Sequence, residues 1–209
     1  MAGKVITVAQ QKGGAGKTTL AANLAVAFAR AGHRTALIDT DPQGSLGRWF
    51  MTRRESIEPG MEFSTASAWG VGYECDKLRK QADIILVDTP PKVDSDLRPA
   101  LRESDLLLIP VATSKVDLWA TESILDMAQR VDRPVMLVLN RFKARTTVSE
   151  EVMAEIDRLG APRANAVIGN RIVYARTMGD GRGVLEEARG AWSSELEALT
   201  QEIAGEIGL

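Results

Sequence analysis

The hydrophobic positions of this chain fall into two alternating patterns. Short, nearly unbroken apolar runs occupy residues 4–9, 34–39, 83–87, 106–110 and 134–140, with a shorter one at 166–168. Runs of this length, rich in Val, Ile and Leu, suit parallel strands covered on both faces. Between them, apolar residues recur at helical spacing. Leu20, Leu24, Ala27 and Phe28 mark a helix over 17–31 that stops at Gly32, and Leu46, Trp49 and Phe50 mark one over 45–53. Trp192, Leu196, Leu199, Ile203 and Ile207 form one stripe on a terminal helix. Further helices are expected over 73–81, from Asp117 onward, and over 147–159, where Thr147 or Ser149 can cap and glutamates fill the first turn. Segment 62–68 is a weaker strand candidate, followed by a turn at Trp69, Gly70 and Gly72. Strands alternating with helices predict an α/β fold: a doubly wound, mostly parallel sheet with helices on both faces, in a single domain over 1–209.

Composition narrows the classes. The 209 residues are 44% hydrophobic and 26% charged, which reads as soluble and globular. The net charge of −2 gives no global basic field, so any nucleic-acid binding must come from a local patch. One cysteine, Cys75, excludes an intramolecular disulfide and fits a reducing cytosol. No apolar run approaches the roughly 20 residues of a membrane span, and the chain enters its first strand without a signal-peptide pattern.

Chemistry concentrates where strands end. Gln11-Lys12-Gly13-Gly14-Ala15-Gly16-Lys17-Thr18-Thr19 joins the first strand to the first helix. Glycines there let backbone N–H groups curl around a phosphate, and the helix directs the positive end of its dipole at the same point. Lys17 can reach β- and γ-phosphates, and the Thr18 hydroxyl can ligate Mg²⁺. The strict phosphate-loop pattern wants a glycine where Gln11 stands, and a second lysine, Lys12, opens the loop instead. The second strand exits through Asp39-Thr40-Asp41-Pro42-Gln43-Gly44, and the run 83–87 ends in Asp88-Thr89-Pro90. Carboxylates at the carboxyl ends of strands in an open α/β sheet sit where ligands bind, and an apolar run ending in aspartate is a Walker B pattern.

Together these motifs resemble the ParA/MinD family of P-loop NTPases with a deviant Walker A motif, most closely the small ParA-type partition ATPases without an N-terminal DNA-reading domain. The resemblance implies ATP and Mg²⁺ as ligands. Gly13, Gly14, Ala15, Gly16, Lys17, Thr18 and Thr19 would cradle the phosphates, Thr18, Asp39 and Asp88 would lie at the metal, and Asn140 would meet the adenine. Asp41 would position the attacking water, and Lys12 would cross a dimer interface to the partner's nucleotide. Asp117 to Thr121 matches a segment that helps form the nucleotide-sandwich dimer, although Trp119 fits a core position as well. Arg163, Arg171, Arg176 and Arg182 stand beside one nearby acid, Asp180. They can bind DNA phosphates, or form a solvated face with local ion pairs.

The leading expectation is an ATP-dependent homodimeric switch that binds DNA nonspecifically and positions a plasmid, a chromosome or a large protein cluster. Its slow hydrolysis would be stimulated by a partner of ParB or adaptor type, in a cytoplasmic, nucleoid-associated setting. The alternative is a MinD-like membrane ATPase of the division site. Against it, residues 193–209 carry four glutamates and no basic residue, so the terminal helix would be repelled by anionic lipid. An amidoligase of cobyrinic-acid type shares the phosphate loop, but the single histidine, His33, and Cys75 suggest no Cys-His pair.

Overall fold

The computed structural model describes residues 2–67, 69–91, 97–112, 114–143 and 147–209, with the backbone alone at 115–117 and 147–149. The side chains of Asp117, Thr147 and Ser149, and all of Ala68, therefore lie outside the described residues. The first half of the chain runs β1 (Lys4–Val8), α1 (Lys17–Arg30), β2 (Thr35–Asp39), α2 (Ser45–Ser56), β3 (Glu62–Thr65), α3 (Val71–Leu78) and β4 (Ile84–Asp88). The second half runs α4 (Leu97–Glu103), β5 (Leu106–Val111), α5 (Lys115–Arg130), β6 (Val135–Phe142), α6 (Thr147–Arg158), β7 (Arg163–Gly169), α7 (Ile172–Gly179) and α8 (Ala191–Ile207).

The seven strands form one sheet in the order β3-β2-β4-β1-β5-β6-β7, and every described pairing is parallel. The chain leaves β1 toward β2 and β3, then returns through β4, which pairs with both β1 and β2. β1 thus lies at the point where strand order reverses, and the loop after it opens into the crevice where such sheets hold ligands.

Both faces of the sheet are covered. Ile6, Val8, Leu37, Leu86 and Leu108 point to one side and pack with Leu24 and Phe28 of α1, Trp49 of α2 and Leu196, Leu199 and Ile203 of α8. On the other side Val5, Ile38, Ile85 and Val87 meet Val71, Cys75 and Leu78 of α3. Leu107, Ile109, Leu137 and Leu139 meet Leu101 of α4, Ile124 and Met127 of α5, and Ile156 of α6. Alternate strand residues go to opposite layers, and both layers are apolar, so the strands read as continuous runs. The terminal stripe packs on the sheet as expected, with Leu196, Leu199 and Ile203 fully buried.

Some boundaries differ from the sequence reading. β6 runs past Asn140 to Phe142, and β7 begins at Arg163 rather than at residue 166. β3 ends at Thr65. Two helices were not anticipated. α4 is only seven residues long, with Pro99 in its first turn, where the missing N–H costs nothing. α7 buries only Val173 and Thr177, so its apolar periodicity is faint.

Candidate functional site

The phosphate loop gains its shape from two glycines and a lysine. Gly14 and Gly16 take left-handed φ values of 82° and 87°, a region that costs other residues more. Gly16 is the N-terminal cap of α1, so that helix starts at Lys17 with its first N–H groups turned to the loop. Lys17 is buried, and its Nζ donates to the Gln10 carbonyl at 2.9 Å, bridging the base of the loop. Burial pulls its pKa down, against the opposing pull of Asp88 and Asp41. Lys12 Nζ donates to Ser114 Oγ, 3.1 Å away, just before α5 of the same chain.

Asp88 ends β4 directly beneath the loop and is fully buried. Its Oδ2 accepts the Thr18 hydroxyl at 2.6 Å, while Oδ1 has no hydrogen-bond partner among the described residues. Burial raises the Asp88 pKa to about 7; the Thr18 bond and Lys17 pull it down, while Asp39 and Asp41 add to the rise. An orphaned carboxylate oxygen beside a threonine hydroxyl suits a hard divalent cation, which takes oxygen ligands. The donor set therefore fits Mg²⁺.

Asp39 has a different setting. Its Oδ1 accepts the Asp41 N–H at 3.0 Å and its Oδ2 accepts the Gly47 N–H at 2.9 Å. Burial raises its pKa in spite of these backbone bonds. Asp39 thus braces the turn that carries Asp41 and the first turn of α2. Asp41 in turn accepts the Gln43 N–H at 2.9 Å. Thr40 ties this loop to β4, donating from both its N–H and its hydroxyl to the Asp88 carbonyl.

Asn140 is buried inside β6. Its amide donates to the Ala15 carbonyl at 2.8 Å, and its Oδ1 accepts the Arg141 N–H at 3.0 Å. The side chain expected at the base is engaged with the phosphate loop. A cavity of about 410 Å³ is lined by Gly13, Gly14, Gly16, Lys17, Thr18, Thr19 and Asp41. A neighbouring one of about 360 Å³ is lined by Thr19, Asn140, Arg141, Asn170, Arg171 and Tyr174. All the strand-end motifs therefore meet at one edge of the sheet.

The four arginines do not form one cluster. Arg163 begins β7, about 20 Å of strand from the carboxyl edge. Its Nε lies 3.8 Å from Asp157. Arg171 caps α7 and pairs with Glu195, and Arg176 pairs with Glu187 at 2.6 Å. The acids that face them come from α6, α8 and the segment after α7, which corrects the expectation of a single acid, Asp180. Arg182 has no carboxylate partner among the described residues; its carbonyl accepts the Trp49 indole N–H. Trp119 is 68% exposed, so the core reading of it is excluded. Sequence reasoning missed Arg141 and Tyr174, which line the second cavity; a polar residue just after the strand-end asparagine was the available signal. No described helix is long and apolar enough to cross a membrane.

Comparison with known proteins agrees with this geometry. The chain is 30% identical over 206 residues to the Maintenance of carboxysome distribution protein A of Halothiobacillus neapolitanus, covering 95% of each chain. It is 27% identical to the Chromosome partitioning protein ParA of Myxococcus xanthus, over 74% of this chain and 70% of that one. The ATP complex of a Cyanothece McdA variant superposes with a TM-score of 0.76 at 15% identity, covering 100% of this chain and 97% of that chain. At that identity the likeness is one of fold. The description "CobQ/CobB/MinD/ParA nucleotide binding domain" matches residues 6–182, and the chain belongs to that family.

Proposed function

We propose that this chain, one domain over 1–209, is an ATP-hydrolysing switch that dimerises on Mg²⁺-ATP and positions a cargo. The observation that carries the reading is the buried Asp88 carboxylate, with one oxygen on Thr18 and the other unpartnered, set under a glycine loop that opens on a cavity. Thr18 and Asp88 would hold the cation, which when bound neutralises charge on the phosphates. Lys17 would leave the Gln10 carbonyl for the phosphates, and Asp41 would orient the attacking water. Asp39 would hold the Asp41 turn, and Asn140 would fix the loop at the border of the base cavity. Lys12, folded onto Ser114 in the single chain, would swing across to the partner's nucleotide.

DNA would be held nonspecifically through Arg171, Arg176 and Arg182, with phosphates displacing Glu195 and Glu187 from the first two. Arg163, on the far edge, would stand apart from that face. The cargo is a plasmid, a chromosome or a large protein assembly; similarity along nearly the whole length of a carboxysome distribution protein supports the assembly. A stimulating partner and a nucleoid location belong to the same reading. Against the MinD-like alternative, α8 has no basic residue in its last turn and packs its apolar stripe inward.

The deciding experiment is a gel shift of linear DNA with ATP, ADP or no nucleotide. Retardation with ATP alone is expected; retardation independent of nucleotide, or binding only to anionic vesicles, defeats the reading. Asp41→Ala is expected to bind ATP and hydrolyse it at least tenfold more slowly, and unchanged turnover in a phosphate-release assay removes Asp41 from the chemistry. Lys12→Ala is expected to lose the ATP-dependent dimer in sedimentation velocity.

A further inference from the structure

Arg141 holds a backbone conformation that its residue type avoids. Its φ is +53°, in the left-handed region. The other described non-glycine residue there, Asp132, is an aspartate in an exposed turn, a type that tolerates the region. A long side chain kept there at the end of a strand is stored strain of the kind found at ligand sites. The fixing contact is visible: Arg141 N–H donates to Asn140 Oδ1, and the Asn140 amide is bound to the phosphate loop at Ala15.

The strain aims the guanidinium at the loop. Arg141 Nε lies 3.6 Å from where a Cβ on Gly16 would stand. Arg141 lines both cavities of the site, and Thr19 also lines both. Arg163, Arg171 and Arg176 are committed to carboxylates. The Arg141 guanidinium makes no hydrogen bond or ion pair among the described residues.

We infer that Arg141 is a nucleotide-binding residue that clamps the α-phosphate. The inference rests on the nucleotide reading above. A nucleotide whose phosphates occupy the Gly13–Thr18 cavity and whose nucleoside occupies the Asn140–Tyr174 cavity must cross between them. Thr19 and Arg141 flank that crossing, and the group located there is the phosphate next to the ribose. A planar guanidinium with several donors matches phosphate oxygens, and Arg141 is paired with no carboxylate among the described residues. Pre-paying the backbone strain before the ligand arrives leaves less ordering for binding to oppose.

The test is isothermal titration of the full chain and its variants with Mg²⁺-ATP and Mg²⁺-ADP, alongside thermal melting without nucleotide. Both ligands carry the α-phosphate, so Arg141→Ala is expected to weaken ATP and ADP by the same factor, roughly tenfold or more for a lost charged hydrogen bond. Arg141→Lys recovers part of that loss. Arg141→Gly relieves the backbone, so it melts no lower than the parent yet binds as weakly as Arg141→Ala, which a merely structural role does not produce. Arg141→Gly also supplies a folded variant if Arg141→Ala melts early. Parent-like binding of both nucleotides by Arg141→Gly overturns the inference, as does a loss confined to ATP. Failure of the parent chain to bind either nucleotide defeats the nucleotide reading itself, so the two failures are distinguishable.

Discussion

Gly16 carries two constraints at one position. It caps α1 at φ 87°, and a Cβ added there would stand 2.6 Å from the Asn140 amide nitrogen. The left-handed backbone alone costs an alanine about 1–2 kcal/mol, and the crowded amide must give up its bond to Ala15. Gly13 lies in the same loop with nothing within 4 Å of its would-be Cβ. Gly16→Ala is therefore expected to lower unfolding free energy by about 2 kcal/mol or more, and Gly13→Ala to change it by less than about 0.5 kcal/mol, both read from urea denaturation without nucleotide. Equal effects would mean that the loop is not tensioned by Asn140. The loop itself was legible in the sequence because its chemistry is local: consecutive glycines, a lysine and a hydroxyl between strand and helix. The brace that Asp39 places on this turn was not legible, because its partner, the Gly47 N–H, lies eight residues on and is brought near only by the turn into α2.

Among the elements, α2 is tied to distant chain by buried side-chain hydrogen bonds. Arg53 near its end is buried; its guanidinium donates to both Glu186 oxygens at 2.8 Å, and also to the carbonyls of Gly181 and Pro59. Trp49 donates to the Arg182 carbonyl, and the Val184 N–H reaches Asn23 of α1. The segment 181–186 thus buckles the phosphate-loop helix to the helix that leaves the Asp41 turn. Gly181, at φ +67°, is needed there, since a Cβ would stand 2.4 Å from the backbone nitrogen of Arg53. Removing one half of such a pair strands the other: Arg53→Met is expected to cost about 3–5 kcal/mol, and adding Glu186→Gln to that variant should restore part of it. Burial pushes the Glu186 pKa up, but its bonds to Arg53 and to the Gly183 N–H outweigh that and hold it below the ordinary glutamate value. A carboxylate depressed in the folded state contributes stability above its unfolded pKa and loses it as pH falls through the folded value. The parent should therefore lose more stability than Glu186→Gln on acidification below the usual glutamate range, in denaturant titrations at stepped pH; parallel curves would remove the pair from the stability account. None of this was legible beforehand, because 133 residues separate Arg53 from Glu186 and no periodicity links them. The strands were legible, since burial on both faces writes each one as an unbroken apolar run.

At the scale of the whole molecule, the carboxyl edge of the sheet carries exposed apolar bulk as well as polar chemistry. Trp69 follows β3 and is 91% exposed; Trp119, in the second turn of α5, is 68% exposed; Ile172, at the start of α7, is 88% exposed. These side chains sit on the same edge as Lys12, Asp41 and the cavity. Scattered single hydrophobics are ordinary on a surface, and Trp69 and Ile172 follow the two outermost strands, β3 and β7, whereas Trp119 lies one turn into α5, beside the Lys12–Ser114 contact. Sequence alone could not separate a core Trp119 from an exposed one, because helical spacing does not say which face is covered. A tryptophan removed from water contributes on the order of 3 kcal/mol, and in a two-fold dimer each such contact occurs twice. On the proposed reading that the chain dimerises on ATP, Trp119→Ser is therefore expected to weaken that self-association at least tenfold while leaving ATP affinity of the monomer unchanged. The measurement is sedimentation velocity across a concentration series in saturating Mg²⁺-ATP, in an Asp41→Ala background so that turnover does not deplete the dimer. Weakened association with intact ATP binding would put Trp119 in the joint between copies. Parent-like association would leave Lys12 to reach across through a different face, with the exposed tryptophan serving another partner.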